Sequence, residues 1–270
     1  MPLGIARSIL GLTQGKSTSF WKSTNQVQTG NHAALLLSGT TSTMFSEFNK
    51  DFTVSFWFNA STADLDSTSV SRIIDWQGGV SLDHNQFTVF LTSTGFTIFW
   101  IERDDGTYSY SVSPASFSTN YLNSAWHHVV FKLKVSSPIA KQFYLDGVSQ
   151  TFNGTDTSSR TPIYGRYAAV GCDNNSNTTY SNVDQFGGKL HQLWITNTSL
   201  DLSANIAKFY SAGHVDLGTA GTTSGLTQPR IYIYVDTSGT LQQGGANTNI
   251  TLSTISEGTG SITTSTSGGP

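Results

Sequence analysis

The stretch from Trp126 to Phe152 constrains the fold of this chain more than any other. Apolar and polar side chains alternate from Val129 to Val135, which is the pattern of a half-buried strand. Pro138 ends this alternation, because proline cannot donate a hydrogen bond to a neighbouring strand. The dipeptide Asp146-Gly147 then predicts a tight hairpin turn, because both residues tolerate a positive φ. The stretch therefore predicts three short antiparallel strands.

The rest of the chain shows turn signals about every 8–12 residues, as β-sandwiches and barrels do. Further strands are predicted at 33–37, 52–58, 72–76, 87–91, 96–102, 107–112 and 167–171. A short helix is predicted from Leu202 to Tyr210, because its apolar residues share one helical face. Asp201 or Ser203 can cap the start of this helix. Residues 173–184 are almost entirely polar and predict a loop.

Four segments resemble the laminin-G-like, concanavalin A-like jelly-roll domains. They are WHHV followed by FYLDGV at 126–148, DFTVSFWF at 51–58, FGGKLHQLWI at 186–195, and LSANIAKFY at 202–210. The resemblance covers roughly residues 30–215 and implies an all-β, antiparallel jelly-roll sandwich with one short helix and extended N- and C-terminal arms. It does not imply a function, because this fold hosts lectins, glycosidases, adhesion modules and virion proteins.

Three regions are predicted along the chain. Residues 1–28 form an N-terminal arm, which is either a flexible lead-in or a segment that orders against a partner. Residues 29–217 form the jelly-roll domain. Residues 218–270 form a Thr/Ser/Gly-rich β segment with too few apolar residues for a core of its own. That segment is either disordered or paired with another surface, and we predict that it depends on a partner.

Composition excludes several classes of protein. Charged residues make up 11% of the chain, the net charge is −3 and no basic run occurs, so a nucleic-acid surface is not expected. No apolar run approaches the ~20 residues of a membrane helix. Cys172 is the single cysteine, so an intrachain disulfide is excluded. No secretory signal is recognised at the N-terminus, and we therefore expect a protein made in a cytoplasm and deployed outside it without a signal.

The two ends of the chain resemble structural proteins of tailed phages, particularly marine ones. The segments concerned are MPLGIARSILG at the start and RIYIYV, NTNITLS and GSITTSTSGGP near the end. The resemblance implies a non-enzymatic virion protein, assembled in the host cytoplasm, that serves as a capsid decoration or knob or as a tail or fibre component. Its partners would be other virion proteins and further copies of the chain. The alternative is a lectin-like module that binds a cell-surface glycan, and a polysaccharide hydrolase is less favoured.

A glycan site needs exposed aromatic rings with polar groups around them. The candidate residues for such a site are Trp76, Trp100, Asp104, Asp105, Tyr108 and Tyr110. The alternative is that most of these rings pack inside the domain. We expect Trp57, Trp126 and Trp194 to lie in the core.

Catalytic and metal-binding patterns are weak. Jelly-roll glucanases carry Glu-x-Asp-x-x-Glu on one strand, but Thr107 stands where the second glutamate should follow Glu102, and no catalytic residue is predicted. His127 and His128 are adjacent on a strand, so they face opposite ways and cannot share a metal ion. We expect one of them to be buried or hydrogen-bonded and the other exposed.

Residues 173–184 offer a candidate calcium site. Calcium prefers several oxygen ligands, and this stretch supplies them from Asp173, Asn175 and Asp184. The spacing matches no defined calcium motif. A solvated polar loop is the alternative interpretation.

Overall fold

The computed structural model describes residues 19–23, 32–39, 51–66, 70–77, 86–102, 106–134, 140–154, 167–176, 179–181, 184–257 and 261–270. These residues form β-strands, two α-helices and one turn of 3₁₀ helix. Neither of these α-helices is long and apolar enough to cross a membrane.

The strands cover most of the described chain. In chain order they are β1 Phe20–Ser23, β2 His32–Gly39, β3 Asp51–Ser61, β4 Val70–Gln77, β5 Gln86–Thr92, β6 Gly95–Glu102, β7 Gly106–Val112, β8 Asn123–Lys134, β9 Ala140–Leu145, β10 Val148–Gln150, β11 Tyr167–Val170, β12 Asp173–Ser176, β13 Thr179–Ser181, β14 Lys189–Thr196, β15 Ile231–Val235, β16 Leu241–Gln243, β17 Ile250–Glu257 and β18 Ile262–Ser265. The helices are the 3₁₀ turn Thr62–Asp64, α1 Phe117–Tyr121 and α2 Leu202–Phe209.

Two antiparallel sheets face each other. Among the described strands, sheet A runs β10-β9-β8-β3-β14-β1-β18, and β15 and β16 join it beside β14. Sheet B runs β17-β2-β11-β4-β5-β6-β7, and β12 and β13 form a separate small hairpin. The all-β, antiparallel sandwich predicted from the sequence is therefore confirmed.

The stretch from Trp126 to Phe152 forms strands β8, β9 and β10, as its alternation predicts. Leu145 of β9 pairs with Val129 on one side and with Val148 on the other. The turn between β9 and β10 is made by Asp146 at φ 49° and Gly147 at φ 74°. Positive φ at both central residues matches the right-handed twist of the flanking strands, which is why Asp-Gly is favoured there.

Aromatic rings fill the space between the two sheets. Phe52 of β3 meets Phe87 of β5 edge to face with ring centroids 4.9 Å apart. Phe58, also of β3, meets Phe96 of β6 in the same way at 5.4 Å. These four rings are at most 1% exposed. Edge-to-face contacts of this kind add to the free energy gained by burial, so they fix how the two sheets face each other.

The region set apart in the sequence as 218–270 contributes strands to both sheets. β15 pairs with β14 in sheet A, and β17 pairs with β2 in sheet B without a shift in register. β18 pairs with β1, which itself comes from the predicted N-terminal arm. The described strands at both ends of the chain therefore pair with the jelly roll of the same chain, which supplies the backbone partners that the short apolar runs need.

One local prediction needs correction, and one helix was missed. Residues 173–184 were expected to form a loop, but β12 and β13 form a hairpin within them, paired at Asp173–Ser181. The lack of apolar alternation hid this hairpin. Helix α1 was also not predicted, because it has five residues and a single buried anchor, Phe117.

Substitution of Ile233 tests whether the C-terminal region contributes to the stability of the domain. The Ile233 side chain is fully buried in β15, so we expect Ile233→Ala to lower the free energy of unfolding by about 2–5 kcal/mol. Ser253→Ala on the exposed side of β17 is the control and should change it by less than about 0.5 kcal/mol. Equilibrium denaturation of both variants measures the difference. Equal, small effects would show that this region contributes little to the fold.

Candidate ligand-binding site

A second layer covers the face of sheet A that points away from sheet B. This layer consists of α2 and the segment 210–230, and it buries an apolar cluster distinct from the core between the sheets. The buried members of that cluster are Val130, Trp194, Leu202, Phe209, Leu217, Leu226 and Tyr232. Trp194 Nε1 donates to the carbonyl of Gly221 at 3.0 Å, which ties the segment to β14. The central strands β3, β8 and β14 of sheet A are therefore buried on both faces along most of their length.

A cleft opens where this second layer meets β15. It is lined by Gln192, Asp216, Gly218, Thr219, Tyr232, Tyr234, Val235, Asp236 and Thr237, and we refer to it as the Tyr234 cleft. Its volume is about 160 Å³. A single buried water needs only about 10–15 Å³ by the same kind of measure, so the cleft has room for a group much larger than water.

Two tyrosines form the aromatic wall of the cleft. Tyr232 and Tyr234 lie two residues apart on β15, so they share a face, and their rings stack with centroids 5.1 Å apart. Tyr232 is fully buried, whereas Tyr234 is half-buried. Burial, together with the nearby carboxylate of Asp236, raises the pKa of Tyr234. Tyr234 therefore presents a neutral phenol that can both donate and accept a hydrogen bond.

Gly244 lets two parts of the cleft approach each other. A Cβ atom at this position would lie 2.0 Å from the carbonyl oxygen of Thr219 and 3.1 Å from the Tyr234 ring. Both Thr219 and Tyr234 line the cleft. The absence of a side chain at Gly244 thus permits the close packing that shapes this part of the cleft.

Gln192 lies at the point where β14 changes neighbours. On one side of β14, Leu190 pairs with β1, whereas Leu193 pairs with β15. Gln192 has φ 50° and lies where the register with β3 shifts. In the amide orientation that best satisfies its neighbours, its nitrogen donates to the carbonyl of Val215 at 3.1 Å and to His214 Nε2 at 3.2 Å. A non-glycine residue with positive φ in a bulge is often found at functional sites, and here it borders the cleft.

A buried pair of histidines lies next to Gln192. His191 Nε2 and His214 Nε2 are 3.0 Å apart. Burial lowers the pKa of His191 well below its usual value, and the electrostatic effect of His214 makes a smaller contribution in the same direction. A hydrogen bond between two ring nitrogens requires one donor and one acceptor, so the pair is stable only when at least one ring is neutral.

His128 extends this polar group along sheet A. Its Nε2 lies 2.8 Å from Ser55 Oγ, and its ring lies 5.0 Å from the ring of Trp57. Burial, with a smaller contribution from His214, lowers the pKa of His128 to about 3. The folded protein therefore holds a neutral imidazole at this position at neutral pH.

His127 and His128 point to opposite faces of β8, as predicted. His127 Nδ1 lies 2.7 Å from Asp146 Oδ2, and its ring contacts Phe58 on the core side. The expectation that one of the two is exposed is wrong, because they are 8% and 1% exposed. Both histidines are buried because the central strands of sheet A are covered on both faces.

The aromatic residues predicted to bind glycan lie mainly in the core or outside the described side chains. Trp76 and Tyr110 are 2% and 1% exposed, and their rings pack on Phe87 and Phe152 respectively. Neither ring is therefore available for stacking in this structure, which corrects the expectation for these two.

Trp100 and Tyr108 pair with each other in the register of β6 and β7. Their side chains lie outside the described part of the chain, as do residues Asp104 and Asp105. Their proposed part in glycan binding stays a prediction. Among the tryptophans expected in the core, Trp57 and Trp194 are buried, whereas Trp126 is only partly so and donates through Nε1 to the carbonyl of Gly268 at 2.9 Å.

The three candidate calcium ligands are not all described. Asp173 and Asn175 lie on β12, and their side chains fall outside the described set. Asp184 Oδ2 accepts from Arg72 Nε at 3.1 Å, so an arginine already neutralises this carboxylate. No group of three or more metal-binding side chains occurs among the residues that the structure describes.

Sequence reasoning missed the residues of the Tyr234 cleft. Asp216, Thr219 and Tyr234 lie near or beyond the end of the predicted domain, in stretches assigned to a linker and a partner-dependent segment. One signal was present: in RIYIYVD, Tyr232 and Tyr234 alternate on one strand and Asp236 follows directly. Two aromatic rings on one face next to a carboxylate are a recognisable binding pattern.

The lowered histidine pKa values predict a stability that depends on pH. Because His128 and His191 have lower pKa values folded than unfolded, the unfolded chain binds protons that the folded chain does not. The free energy of unfolding should be highest above about pH 6.5 and fall as the pH drops, with a slope that approaches about 1.4 kcal/mol per pH unit for each histidine below that pH. Denaturant titrations at pH 7, 6 and 5 avoid the carboxylate range.

His128→Phe is the matched variant for this experiment, because it keeps a ring between Trp57 and Tyr210. It should be less stable than the native chain at pH 7, since Ser55 loses its partner. Its stability should nevertheless fall less steeply as the pH drops. An unchanged slope would show that His128 is not held neutral.

Comparison with known proteins places the fold. The family model described as the concanavalin A-like lectin/glucanases superfamily matches residues 22–205. A Bacteroides ovatus protein inferred to bind carbohydrate has a TM-score of 0.57 at 14% sequence identity, and the match covers 93% of this chain and 60% of that one. The chain therefore spans less than two thirds of that relative. A comparison with curated protein sequences gave no match.

Two further solved structures are similar to a lower degree. A heptameric SAP-like pentraxin from Limulus polyphemus has a TM-score of 0.48 at 10% identity, with 73% of this chain and 84% of the pentraxin covered. The CBM40 module of a Ruminococcus gnavus sialidase, bound to α2,3 sialyllactose, has a TM-score of 0.45 at 12% identity. The match covers 60% of this chain and 83% of that module. The family match extends over more than half of the chain and agrees with the two antiparallel sheets. The chain therefore belongs to the concanavalin A-like lectin/glucanases superfamily.

Proposed function

We propose that this protein is a non-enzymatic carbohydrate-binding protein that holds its ligand in the Tyr234 cleft. The observation that carries the proposal is an open cleft in which a half-buried tyrosine ring lies among carboxylate, hydroxyl and amide groups. The cleft is shaped by a strained glutamine, a close glycine contact and a stacked tyrosine pair. It is therefore formed before a ligand arrives, which lowers the entropic cost of binding.

The chemistry of the lining suits a sugar. One face of a pyranose ring carries C–H groups that stack on an aromatic ring, and its edge carries hydroxyls that need polar partners. Tyr234 supplies the ring, while Asp216, Thr219 and Thr237 supply acceptors and donors within the same cleft. The volume of about 160 Å³ suits one small polar unit of a longer ligand.

The comparisons support the proposal at the level of fold. The superfamily takes its name from lectins as well as glucanases, and the Bacteroides ovatus protein is inferred to bind carbohydrate. Because a shared fold does not fix a function, the proposal depends on the cleft itself.

Asp236, one of the two carboxylates of the cleft, is unsuited to the general-acid role of a hydrolase. A glycosidase needs a general acid whose pKa is raised towards neutrality. Hydrogen bonds from the Ser238 side chain, and then from the Thr240 backbone, lower the pKa of Asp236 to about 2. That carboxylate stays ionised at neutral pH and cannot donate a proton to a leaving group.

A role on a virus particle stays a prediction from the sequence. Glycan binding is compatible with it, because a particle component can also recognise a host surface. In that case other virion proteins and further copies of the chain would be partners in addition to the glycan. The proposed site does not depend on this placement.

A glycan array probed with the full chain and with Tyr234→Ala tests the proposal. We expect binding by the native chain and a loss of about 1–2 kcal/mol, or roughly tenfold in affinity, in the variant, because the ring that stacks on the sugar is gone. Isothermal titration with a bound glycan measures the loss. Tyr234→Phe is the control and should keep most of the affinity, since it keeps the ring.

Trp100→Ala and Tyr108→Ala complete the experiment, because they test the site predicted from sequence alone. Thermal unfolding of each variant confirms that it is folded. Binding that survives Tyr234→Ala but is lost in Trp100→Ala would show that the glycan site lies on β6 and β7 and not in the Tyr234 cleft. Absence of binding to every glycan would reject the proposed function.

A further inference from the structure

The two carboxylates of the Tyr234 cleft differ in how many hydrogen bonds they already accept from the protein. Asp236 Oδ1 accepts from Ser238 N at 2.9 Å, Ser238 Oγ at 2.6 Å and Thr240 N at 2.9 Å. Its Oδ2 accepts from Gln242 Nε2 at 2.8 Å. Asp236 therefore holds the turn between β15 and β16, and its oxygens have little capacity left for a ligand.

Asp216 is held by the protein through one of its two carboxylate oxygens. Its Oδ1 accepts from the backbone nitrogen of Gly218 at 2.8 Å, which fixes the carboxylate in place. Its Oδ2 accepts no hydrogen bond from the part of the chain that the structure describes. Asp216 also lines the cleft together with Tyr234. A carboxylate that is held at one oxygen and open at the other is prepared to accept from a ligand.

The charge of the cleft is negative. Asp216 and Asp236 both belong to its lining, whereas no lysine, arginine or histidine does so among the described residues. A ligand with a carboxylate or sulfate would meet two negative charges and no counter-charge. A protonated amine would instead pair with a carboxylate and lie near the negative face of an aromatic ring.

We propose that the Tyr234 cleft discriminates sugars by charge, binding amino sugars more tightly than neutral sugars and rejecting acidic ones, and that Asp216 sets this order. The inference rests on the proposed function and adds the class of ligand to it. Asp216 Oδ2 accepts from the ammonium group of an amino sugar or from a hydroxyl of a neutral one. Tyr234 packs against the ring of either sugar.

The test uses three probes with one backbone and different charge: the β-1,4-linked tetrasaccharides of glucose, glucosamine and glucuronic acid. The full chain is titrated with each, and an array of neutral, amino and acidic glycans is probed in parallel. We expect about tenfold tighter binding of the glucosamine probe than of the glucose probe, because a charge-assisted hydrogen bond is roughly twice as strong as a neutral one. Added salt should reduce this preference.

Asp216→Asn separates the charge from the shape of the site. Asparagine keeps an oxygen for the Gly218 nitrogen, so the local turn should persist. The variant should lose the preference for amino sugars and bind acidic glycans more tightly than the native chain does. Asp201→Asn is the matched control, because it removes the same charge at the start of α2, where asparagine still caps a helix. It should keep the native order.

The order of affinities is read from whichever probes and array glycans bind. An acidic glycan that binds as tightly as an amino sugar, and loses binding in Tyr234→Ala, would overturn the inference but leave the proposed function intact. An unchanged order in Asp216→Asn would do the same. If no glycan of any charge binds, the proposed function fails and the inference fails with it.

Discussion

Burial of the central strands of sheet A on both faces is the constraint on which the rest of this structure depends. On β8, Val129 packs into the core between the sheets while its neighbour Val130 packs beneath the second layer. A strand in this position has no solvent face, so each polar side chain on it needs a partner within the protein. The bond between His128 and Ser55, and the His191–His214 pair, meet that need at Nε2 of each ring, and burial keeps His128 and His191 neutral. The second layer is thus a polar as well as an apolar interface.

The sequence contains enough information for the sandwich but not for the layer that covers it. Alternation predicts β8 and β9, and Asp146-Gly147 predicts their continuation into β10, because strand and turn signals are local. The same alternation implies that polar positions face solvent. For Ser55 and His128 this is wrong, since both are buried and the His128 ring lies against Tyr210. Periodicity detects which residues share a face, but not what covers that face.

The candidate site was harder to predict because it is assembled from three distant segments. Gln192 comes from β14, Asp216 and Thr219 from the segment after α2, and Tyr234 from β15. The pattern around Gln192 indicates the fold and not a site, and the segment that holds Asp216 and Thr219 runs into a stretch with the Gly/Thr-rich composition of a linker. The three segments meet because the strand that pairs with this edge of β14 changes from β1 to β15 at Gln192. A change of strand neighbour is a tertiary event, and no local pattern in the sequence records it.

Most of the residues that line the cleft follow the family match in sequence. The match ends at residue 205, whereas Asp216, Thr219 and Tyr234 follow it in sequence. Within the match, Trp194 anchors the segment that follows it, and Gln192 contributes to the lining of the cleft. Loops and additions vary more freely than the scaffold beneath them, since the scaffold already satisfies its own core. If the proposed function is right, ligand choice at the Tyr234 cleft depends mainly on the C-terminal segment, and relatives that share only the sandwich need not share it.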